Sequence, residues 1–263
     1  MANLAESNYY ENDSNWQYMS VSQFKDFVDC EAKALAKLNG EIPQDNTEAF
    51  LVGNYVHSAF ESQQAHEDFL TVNQEAMLTK AGKTRAPFIQ ADLMVKRLES
   101  DAFFNELYKG EKEVIVTGEL FGTEWKGKID CLNVDNDYFV DLKTTREVNY
   151  SMWSSKFNKR VSWVEEYGYI MQMAIYQQLL MQQYGKVFEP KIVAVSKESP
   201  PNIEAIEFFN DDLEFELEYV QVHIDRILKV KNGEESPNHC GKCDYCRRTK
   251  HLTGFVNARE LIR

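Results

Sequence analysis

Two aspartates and a lysine stand close together in a stretch that otherwise has the composition of buried strands. In "GKIDCLNVDNDYFVDLKTTRE", Asp130 falls in one apolar run, and Asp141 and Lys143 fall in the next. Side chains alternate between the two faces of a strand, so Asp141 and Lys143 share one face while Val140 and Leu142 occupy the other. If the two strands are adjacent and antiparallel, the three polar side chains meet at one point.

Carboxylates gathered in this way repel one another, and a bound cation relieves that repulsion. A hard divalent ion with oxygen ligands, Mg²⁺ or Mn²⁺, is the natural occupant. Such an ion can activate water and stabilise charge on a phosphate, while the lysine orients the water or binds the scissile phosphate. The alternative is that Asp130 and Asp141 are surface residues and Lys143 is only their ion-pair partner. The three residues together favour the metal site.

Three of the five cysteines form a second group, in "HCGKCDYCRRTKH". Each pair is separated by two residues, so a turn can aim all three thiols at one metal ion or cluster. Three thiolates need a fourth ligand, which is Cys30 for a four-sulfur site, and His239 or His251 for a Cys₃His zinc site. The alternative is a set of free thiols in a packed tail.

The elements that must position these residues follow from periodicity and turn residues. Helices are predicted over 20–38, 46–64, 89–108, 162–185 and 211–230. Strands are predicted over 112–122, 124–134, 138–145, 191–198 and 203–209. This order indicates an α/β (α+β) fold with a central mixed sheet flanked by helices, followed by a cysteine-rich tail.

Composition sets limits on the class of protein. The 263 residues, 43% of them hydrophobic, allow one large domain or two small ones. The net charge of −13, from 29 basic and 42 acidic residues, counts against DNA as a partner. Local basic clusters over 80–87, 156–160 and 246–251 leave that partner open. No export signal or long apolar run is apparent, so we expect a soluble, cytoplasmic protein without a membrane partner.

A family resemblance extends this interpretation. Gly127-x-x-Asp130, followed about ten residues later by Asp141-Leu142-Lys143, resembles the core of the PD-(D/E)XK nuclease superfamily. Aspartate instead of glutamate at position 141 is tolerated by the superfamily pattern. Three further segments, "GNYVHSAFE", "GEL" and "QMAIY", resemble the RecB-like and phage-exonuclease branch of that superfamily.

The resemblance implies a role for each matching residue. The implied ligands of Mg²⁺ or Mn²⁺ are three side chains and one main-chain carbonyl: His57, Asp130, Asp141 and the carbonyl of Leu142. Four other side chains are implied in catalysis: Lys143 at the phosphate, Glu119 through water, and Gln172 and Tyr176 in contact with DNA or orienting Lys143.

One cysteine before the histidine motif and three near the C-terminus resemble the arrangement in iron–sulfur members of the RecB-like nucleases. The resemblance implies a [4Fe–4S] cluster that joins the chain ends and is bound by Cys30, Cys240, Cys243 and Cys246. Zinc is the alternative. The even Cys-x₂-Cys-x₂-Cys spacing departs from the wider final gap of those relatives.

The resulting expectation is a single domain, 1–263, with a restriction-endonuclease-like core. It divides into a helical N-terminal region (1–110), a nuclease core (111–210) and a C-terminal helix with the cysteine cluster (211–263). The resemblance implies a phage-derived, exodeoxyribonuclease VIII-like DNA exonuclease that acts on duplex ends in recombination or repair. A single-strand annealing protein and a ring-shaped homo-oligomer are implied as partners. The alternatives are an iron–sulfur nuclease of CRISPR spacer acquisition and a non-catalytic DNA-binding recombination scaffold.

Overall fold

The computed structural model describes residues 4–42, 47–252 and 254–261. The helices are α1 (Asn12–Gln17), α2 (Val21–Asp29), α3 (Glu31–Leu38), α4 (Glu48–Glu61), α5 (Gln63–Val72), α6 (Gln74–Met77), α7 (Ala86–Glu99), α8 (Ala102–Leu107), α9 (Trp163–Glu166), α10 (Tyr169–Tyr184), α11 (Asn210–Lys231) and α12 (Asp244–Arg248). The strands are β1 (Glu111–Leu120), β2 (Thr123–Asn133), β3 (Tyr138–Thr145), β4 (Ser151–Ser154), β5 (Lys159–Ser162), β6 (Glu189–Ser196) and β7 (Ile203–Ile206). In the described part of the chain, no helix has the length and apolar composition needed to cross a bilayer.

A five-stranded mixed sheet forms the centre, in the order β1-β2-β3-β6-β7. Strands β1, β2 and β3 make the antiparallel meander that the sequence predicts. Strand β6 then pairs parallel with β3, after α10 has crossed the sheet, and β7 pairs antiparallel with β6. Strands β4 and β5 form a separate hairpin. The predicted fold class, a mixed sheet flanked by helices, is confirmed.

Apolar residues pack on both faces of the sheet. On one face, Trp125 and Phe139 join a core built with α2, α10 and α11. On the other, Val140 and Leu142 join a core built with α4, α7 and α8. The predicted alternation along β3 is therefore confirmed, because Phe139 and Val140 lie in different cores. Asp141 is turned toward α10, where Gln172 contacts it.

Four of the five predicted helices are interrupted: 46–64 divides between α4 and α5, 89–108 divides between α7 and α8, and the breaks in the other two position residues of interest. The segment 20–38 breaks at Cys30, whose extended backbone (φ −167°, ψ 104°) ends α2 and begins α3. The segment 162–185 breaks at Gly168, a left-handed residue (φ 66°) between α9 and α10. A glycine tolerates this conformation without steric cost. The predicted C-cap at Gly185 is confirmed.

A buried lysine holds the N-terminal segment on the sheet. Lys126 is 3% exposed. Its ammonium donates to the Tyr9 carbonyl at 2.6 Å, Ser14 Oγ at 2.7 Å and Asn15 Oδ1 at 2.8 Å. Burial lowers the pKa of Lys126 to about 8. These hydrogen bonds hold α1 against β2, although removing the ammonium from water costs free energy.

Candidate active site

The site forms where strands β2 and β3 separate. Their ladder pairs Cys131 with Val140 and continues only toward Asn133 and Tyr138. Beyond Cys131 the strands part, and the Asp130 carboxylate takes over the role of a main-chain acceptor. Its Oδ2 accepts a hydrogen bond from the Leu142 N–H at 2.7 Å. Asp130 therefore lies in the fork between the strands, where residues from both faces of the sheet can reach it.

Asp141 and Lys143 lie beside this fork on the α10 side of β3. Asp141 is 2% exposed. Its Oδ1 accepts from Gln172 Nε2 at 2.7 Å, and its Oδ2 lies 2.5 Å from Lys143 Nζ. That ion pair lacks hydrogen-bond geometry, and among the described residues nothing donates to Oδ2, which is buried. A buried acceptor of this kind is suited to a cation.

His57 and Glu113 complete the cluster around Asp130. His57, on α4, places Nδ1 at 3.4 Å from Asp130 Oδ2. Ligand atoms of His57, Glu113 and Asp130 all lie within 4.8 Å of one another. Glu113, the third residue of β1, has a left-handed backbone (φ 53°), which is unusual for a residue other than glycine. Its carboxylate also lies 2.6 Å from Lys128 Nζ.

Glu113, and not Glu119, is the acidic residue of β1 that the structure brings to the cluster. The hairpin turn fixes the register, because Leu120 pairs with Thr123 and Glu119 with Glu124. Glu119 is exposed near this turn, and its carbonyl accepts from a glutamine on α10. The structure therefore does not bring Glu119 to the cluster. Counting back from the turn sets Glu113 opposite Asp130, a signal that was available in the sequence.

The two predicted residues of α10 occupy different positions. Gln172 reaches Asp141, the ion-pair partner of Lys143, and holds its Oδ1. Tyr176 is 9% exposed and lays its ring on Gly127. A Cβ at position 127 would lie 2.5 Å from Tyr176 Cε1, so glycine is required for this approach. The glycine of the Gly127-x-x-Asp130 motif therefore makes room for the Tyr176 ring behind the cluster.

A tyrosine and a second lysine surround Lys143, and sequence reasoning did not identify either. Lys143 Nζ lies 4.6 Å from the ring centroid of Tyr169, and Lys25 Nζ lies 5.5 Å from the same centroid. Lys25 also donates to the Tyr167 carbonyl at 2.6 Å. Tyr169 stands three residues before Gln172 on the same face of α10, which is a usable signal. Lys25 comes from α2, and no local pattern indicates its position.

Burial and charge perturb the titration of this cluster. Burial raises the pKa of Asp130 to about 7; the Asp141 and Glu113 charges add to that rise, and His57 and Lys143 oppose it. For Lys143, burial alone would lower the pKa, but the Asp141 and Asp130 carboxylates outweigh it and raise the pKa. The lysine therefore stays protonated at neutral pH, and a bound cation would favour the ionised form of Asp130, whose pKa lies near neutrality without one.

The donor set fits a hard divalent cation. Two carboxylates, Glu113 and Asp130, and the imidazole of His57 converge from β1, β2 and α4, and this composition suits Mg²⁺ or Mn²⁺. Asp141 lies beside them on β3, with its buried Oδ2 against the Lys143 ammonium. The residues present therefore fit the metal that the sequence predicts.

The predicted cysteine group is also brought together by the fold. Cys30 Sγ lies 3.5 Å from Cys246 Sγ and 3.8 Å from Cys243 Sγ. Cys240 Sγ lies 3.9 Å from Cys246 Sγ. The fifth cysteine, Cys131, lies apart in the core of the α4 face.

Comparison with known proteins gives a consistent result. The profile of a family described as a PDDEXK-like domain of unknown function (DUF3799) matches residues 20–249. A crystal structure from Eubacterium rectale, described as a candidate exonuclease, is 35% identical with a TM-score of 0.93, covering 100% of this chain and 99% of that one. A structure described as SSO0001 is 18% identical with a TM-score of 0.32, covering 86% of this chain and 91% of that one. No curated protein matches the sequence. With the motif and the restriction-endonuclease-like fold in place, the chain belongs to the PDDEXK-like DUF3799 family, within the PD-(D/E)XK nuclease superfamily.

Proposed function

We propose that this protein is a Mg²⁺- or Mn²⁺-dependent DNA exonuclease that acts on duplex ends. The observation that carries the proposal is the convergence of Asp130, Asp141 and Lys143 at the fork between β2 and β3, with Asp141 Oδ2 buried against the Lys143 ammonium. The Eubacterium rectale structure, itself described as a candidate exonuclease, supports the same activity.

The metal would be held by His57, Glu113, Asp130 and Asp141. When bound, a divalent ion of this kind activates water and stabilises charge on the scissile phosphate. The Leu142 carbonyl stays a predicted ligand. In an extended strand the N–H and C=O of one residue point to the same side, so this carbonyl faces the fork, where the Leu142 N–H meets Asp130.

The other residues of the site orient the metal-binding carboxylates and neutralise negative charge. Gln172 fixes one oxygen of Asp141, and the second, which lies against the Lys143 ammonium, would act as the ligand. Lys143, with 15% of its side chain exposed, is held protonated next to Asp141 and is positioned to donate to a phosphate oxygen or to the attacking water. The ring of Tyr169 restricts the position of this ammonium through a cation–π contact.

A cleft next to Lys143 offers a path for DNA despite the net negative charge. The cleft has a volume of about 750 Å³, and its walls include Lys25, Lys156 and Lys242 beside the acidic Asp29, Glu165 and Glu166. Lysines attract the phosphate backbone, and the exposed ring of Tyr167 in the same wall can stack on a base. The Lys156 side chain is held in place by Glu216, at 2.6 Å. We therefore place the incoming strand in this cleft.

The test is a comparison of linear and covalently closed duplex DNA, each with Mn²⁺, Mg²⁺ or EDTA. Degradation of the linear duplex from its ends, sparing of the circle and loss of activity in EDTA are expected. Asp141→Asn, which keeps the side-chain shape, should be inactive on both substrates. Rapid nicking of closed circles would indicate an endonuclease, and DNA binding without cleavage would indicate a non-catalytic scaffold.

The proposal includes a role in recombination or repair and a phage origin, as the resemblance implies. End resection exposes a single strand, so a single-strand annealing protein is the expected partner. A ring-shaped homo-oligomer is the expected assembly. Light scattering coupled to gel filtration measures the mass in solution, and a monomer at all concentrations would contradict the ring.

A further inference from the structure

The four clustered cysteines have sulfur spacings that distinguish between the metals a four-thiolate site can hold. All four Sγ atoms lie within 4.8 Å of one another, and three of the separations are 3.5, 3.8 and 3.9 Å. These values are far longer than a disulfide bond of about 2.05 Å, and all four cysteines are free thiols. Four thiols held at this separation outside a disulfide are arranged as ligands.

A single tetrahedral ion accounts for these distances. Zinc binds thiolate at about 2.3 Å, and tetrahedral geometry then separates neighbouring sulfurs by about 3.8 Å. A [4Fe–4S] cluster binds each thiolate to a different iron at the corner of a cube, so the sulfurs must spread to roughly 6 Å. The observed separations are too short for that cluster. The [4Fe–4S] cluster that the family resemblance implies does not fit the residues present.

We propose that Cys30, Cys240, Cys243 and Cys246 bind one Zn²⁺ ion in a tetrahedral all-cysteine site. Cys30 supplies the fourth sulfur, in place of a histidine. His239 Nδ1 lies 3.6 Å from the sulfur of Cys246, but its ring nitrogen is not within the group whose ligand atoms all lie within 4.8 Å of one another.

Main-chain conformation and main-chain N–H groups position the four cysteines, which come from both ends of the sequence. Gly241 takes a left-handed conformation (φ 72°), which turns the chain so that the next cysteines face inward. The N–H of Cys243 donates to Cys240 Sγ at 3.3 Å, and the N–H of Cys246 donates to Cys243 Sγ at 3.4 Å. Such N–H···S contacts orient the sulfurs of a metal site and stabilise them as thiolates. Cys30 reaches the same point because its helix breaks there.

Polar contacts hold the tail against α3 next to the cysteines. Glu31 accepts from Arg226 at 2.7 Å and from the Asn238 N–H at 2.7 Å, and the Ala32 N–H donates to the Asn238 carbonyl at 3.1 Å. The ion would add a cross-link between the α2–α3 junction and the tail. Because an unfolded chain lacks a preformed site, zinc binding also stabilises the native fold. Cys30 is five residues after Lys25 of the cleft, so this cross-link also anchors one wall of the proposed DNA path.

The experiment measures metal content in the full-length protein, purified without chelator from cells supplied with both iron and zinc, once aerobically and once anaerobically. We expect one zinc per chain, no visible iron–sulfur absorbance, and tetrathiolate charge-transfer bands after exchange with Co²⁺. About four irons per chain with a brown colour in the anaerobic preparation would overturn the proposal. A single iron per chain, or no metal, would overturn the zinc assignment equally.

Variants separate the ligand sets. Cys30→Ser should weaken zinc affinity by more than about 100-fold in a chelator competition and lower the thermal midpoint. Cys131→Ser is the matched control, since it also alters a buried cysteine but lies outside the cluster, and it should retain one zinc. His239→Ala should retain the ion as well. Loss of zinc in His239→Ala together with retention in Cys30→Ser would establish the Cys₃His site instead. If Cys30→Ser does not fold, the metal content and Co²⁺ spectrum of the wild-type protein still decide the question.

Discussion

Replacing one glutamate of β1 should impair the enzyme, while the same change six residues later should not. Glu113→Gln is expected to weaken Mn²⁺ binding and slow DNA hydrolysis, because its carboxylate lies within 4.8 Å of the nearest ligand atoms of Asp130 and His57. Glu119→Gln is the matched control. It changes an exposed residue on the same strand, roughly 20 Å away at about 3.3 Å per residue.

The size of the effect follows from the charges. A unit charge and a divalent ion 4.8 Å apart, the upper limit of the ligand-atom separations, interact by about 7 kcal/mol at an effective dielectric constant of about 20. The expected loss is well below this value, because Lys128 already pairs with Glu113 at 2.6 Å and neutralises part of its charge. We therefore expect a loss of about 1.4 to 2.8 kcal/mol of metal-binding free energy. That loss corresponds to a 10- to 100-fold weaker Mn²⁺ affinity, by about 1.4 kcal/mol per factor of ten.

Isothermal titration calorimetry with Mn²⁺ measures the affinity, and hydrolysis of linear duplex at limiting Mn²⁺ measures the consequence. The activity of Glu113→Gln should recover in part at high Mn²⁺, because the defect lies in metal binding. Thermal unfolding in EDTA checks that both variants fold. Equal losses in the two variants, or a loss confined to Glu119→Gln, would refute the assignment of Glu113.

Three other perturbations test the supports of the site. Gln172→Leu removes the hydrogen bond to buried Asp141 and should reduce the hydrolysis rate about 10- to 100-fold with less change in DNA affinity; an unchanged rate would show that Asp141 needs no such support. Gly127→Ala sets a Cβ against the Tyr176 ring and should cost about 1–3 kcal/mol of unfolding free energy, measured in urea; full stability would mean that the ring moves freely. Burial lowers the pKa of Lys126 to about 8, whereas the pKa of a lysine in the unfolded chain is about 10.4. Between these two pH values the unfolded chain binds more protons than the folded protein. The free energy of unfolding should therefore rise with pH through that window. The rise should be smaller in Lys126→Met, and an equal or steeper rise there would contradict the buried-lysine account.

Much of the architecture could be predicted because it depends on local patterns. The meander follows from β-branched runs separated by turn residues, and the shared face of Asp141 and Lys143 follows from strand periodicity. His57 was also predicted at the metal, from the resemblance alone, and the structure sets it beside Asp130. Glu113 and Glu119 lie on the same strand, and only the register of the hairpin, counted back from its turn, sets Glu113 and not Glu119 opposite Asp130.

Features set by tertiary packing could not be predicted in the same way. The break at Cys30 interrupts a continuous helical pattern. It is explained by the contact of Cys30 with the distant cysteines of the tail. Lys25 joins the site because α2 packs beside α10, a contact that no local pattern encodes. The β4–β5 hairpin is short and mostly polar, so its strands lack the apolar alternation that predicts a strand.

The most direct test of the nuclease proposal is the single-turnover rate at which Lys143→Met hydrolyses end-labelled linear duplex with saturating Mn²⁺, compared with the wild-type rate. Methionine keeps the length of the side chain but removes the ammonium that lies 2.5 Å from Asp141. The proposal predicts rapid hydrolysis by the wild-type protein, none in EDTA, and a rate about 100- to 1000-fold lower in the variant. A variant as fast as the wild-type protein, or a wild-type protein that binds DNA with Mn²⁺ and leaves it intact, would contradict the proposal.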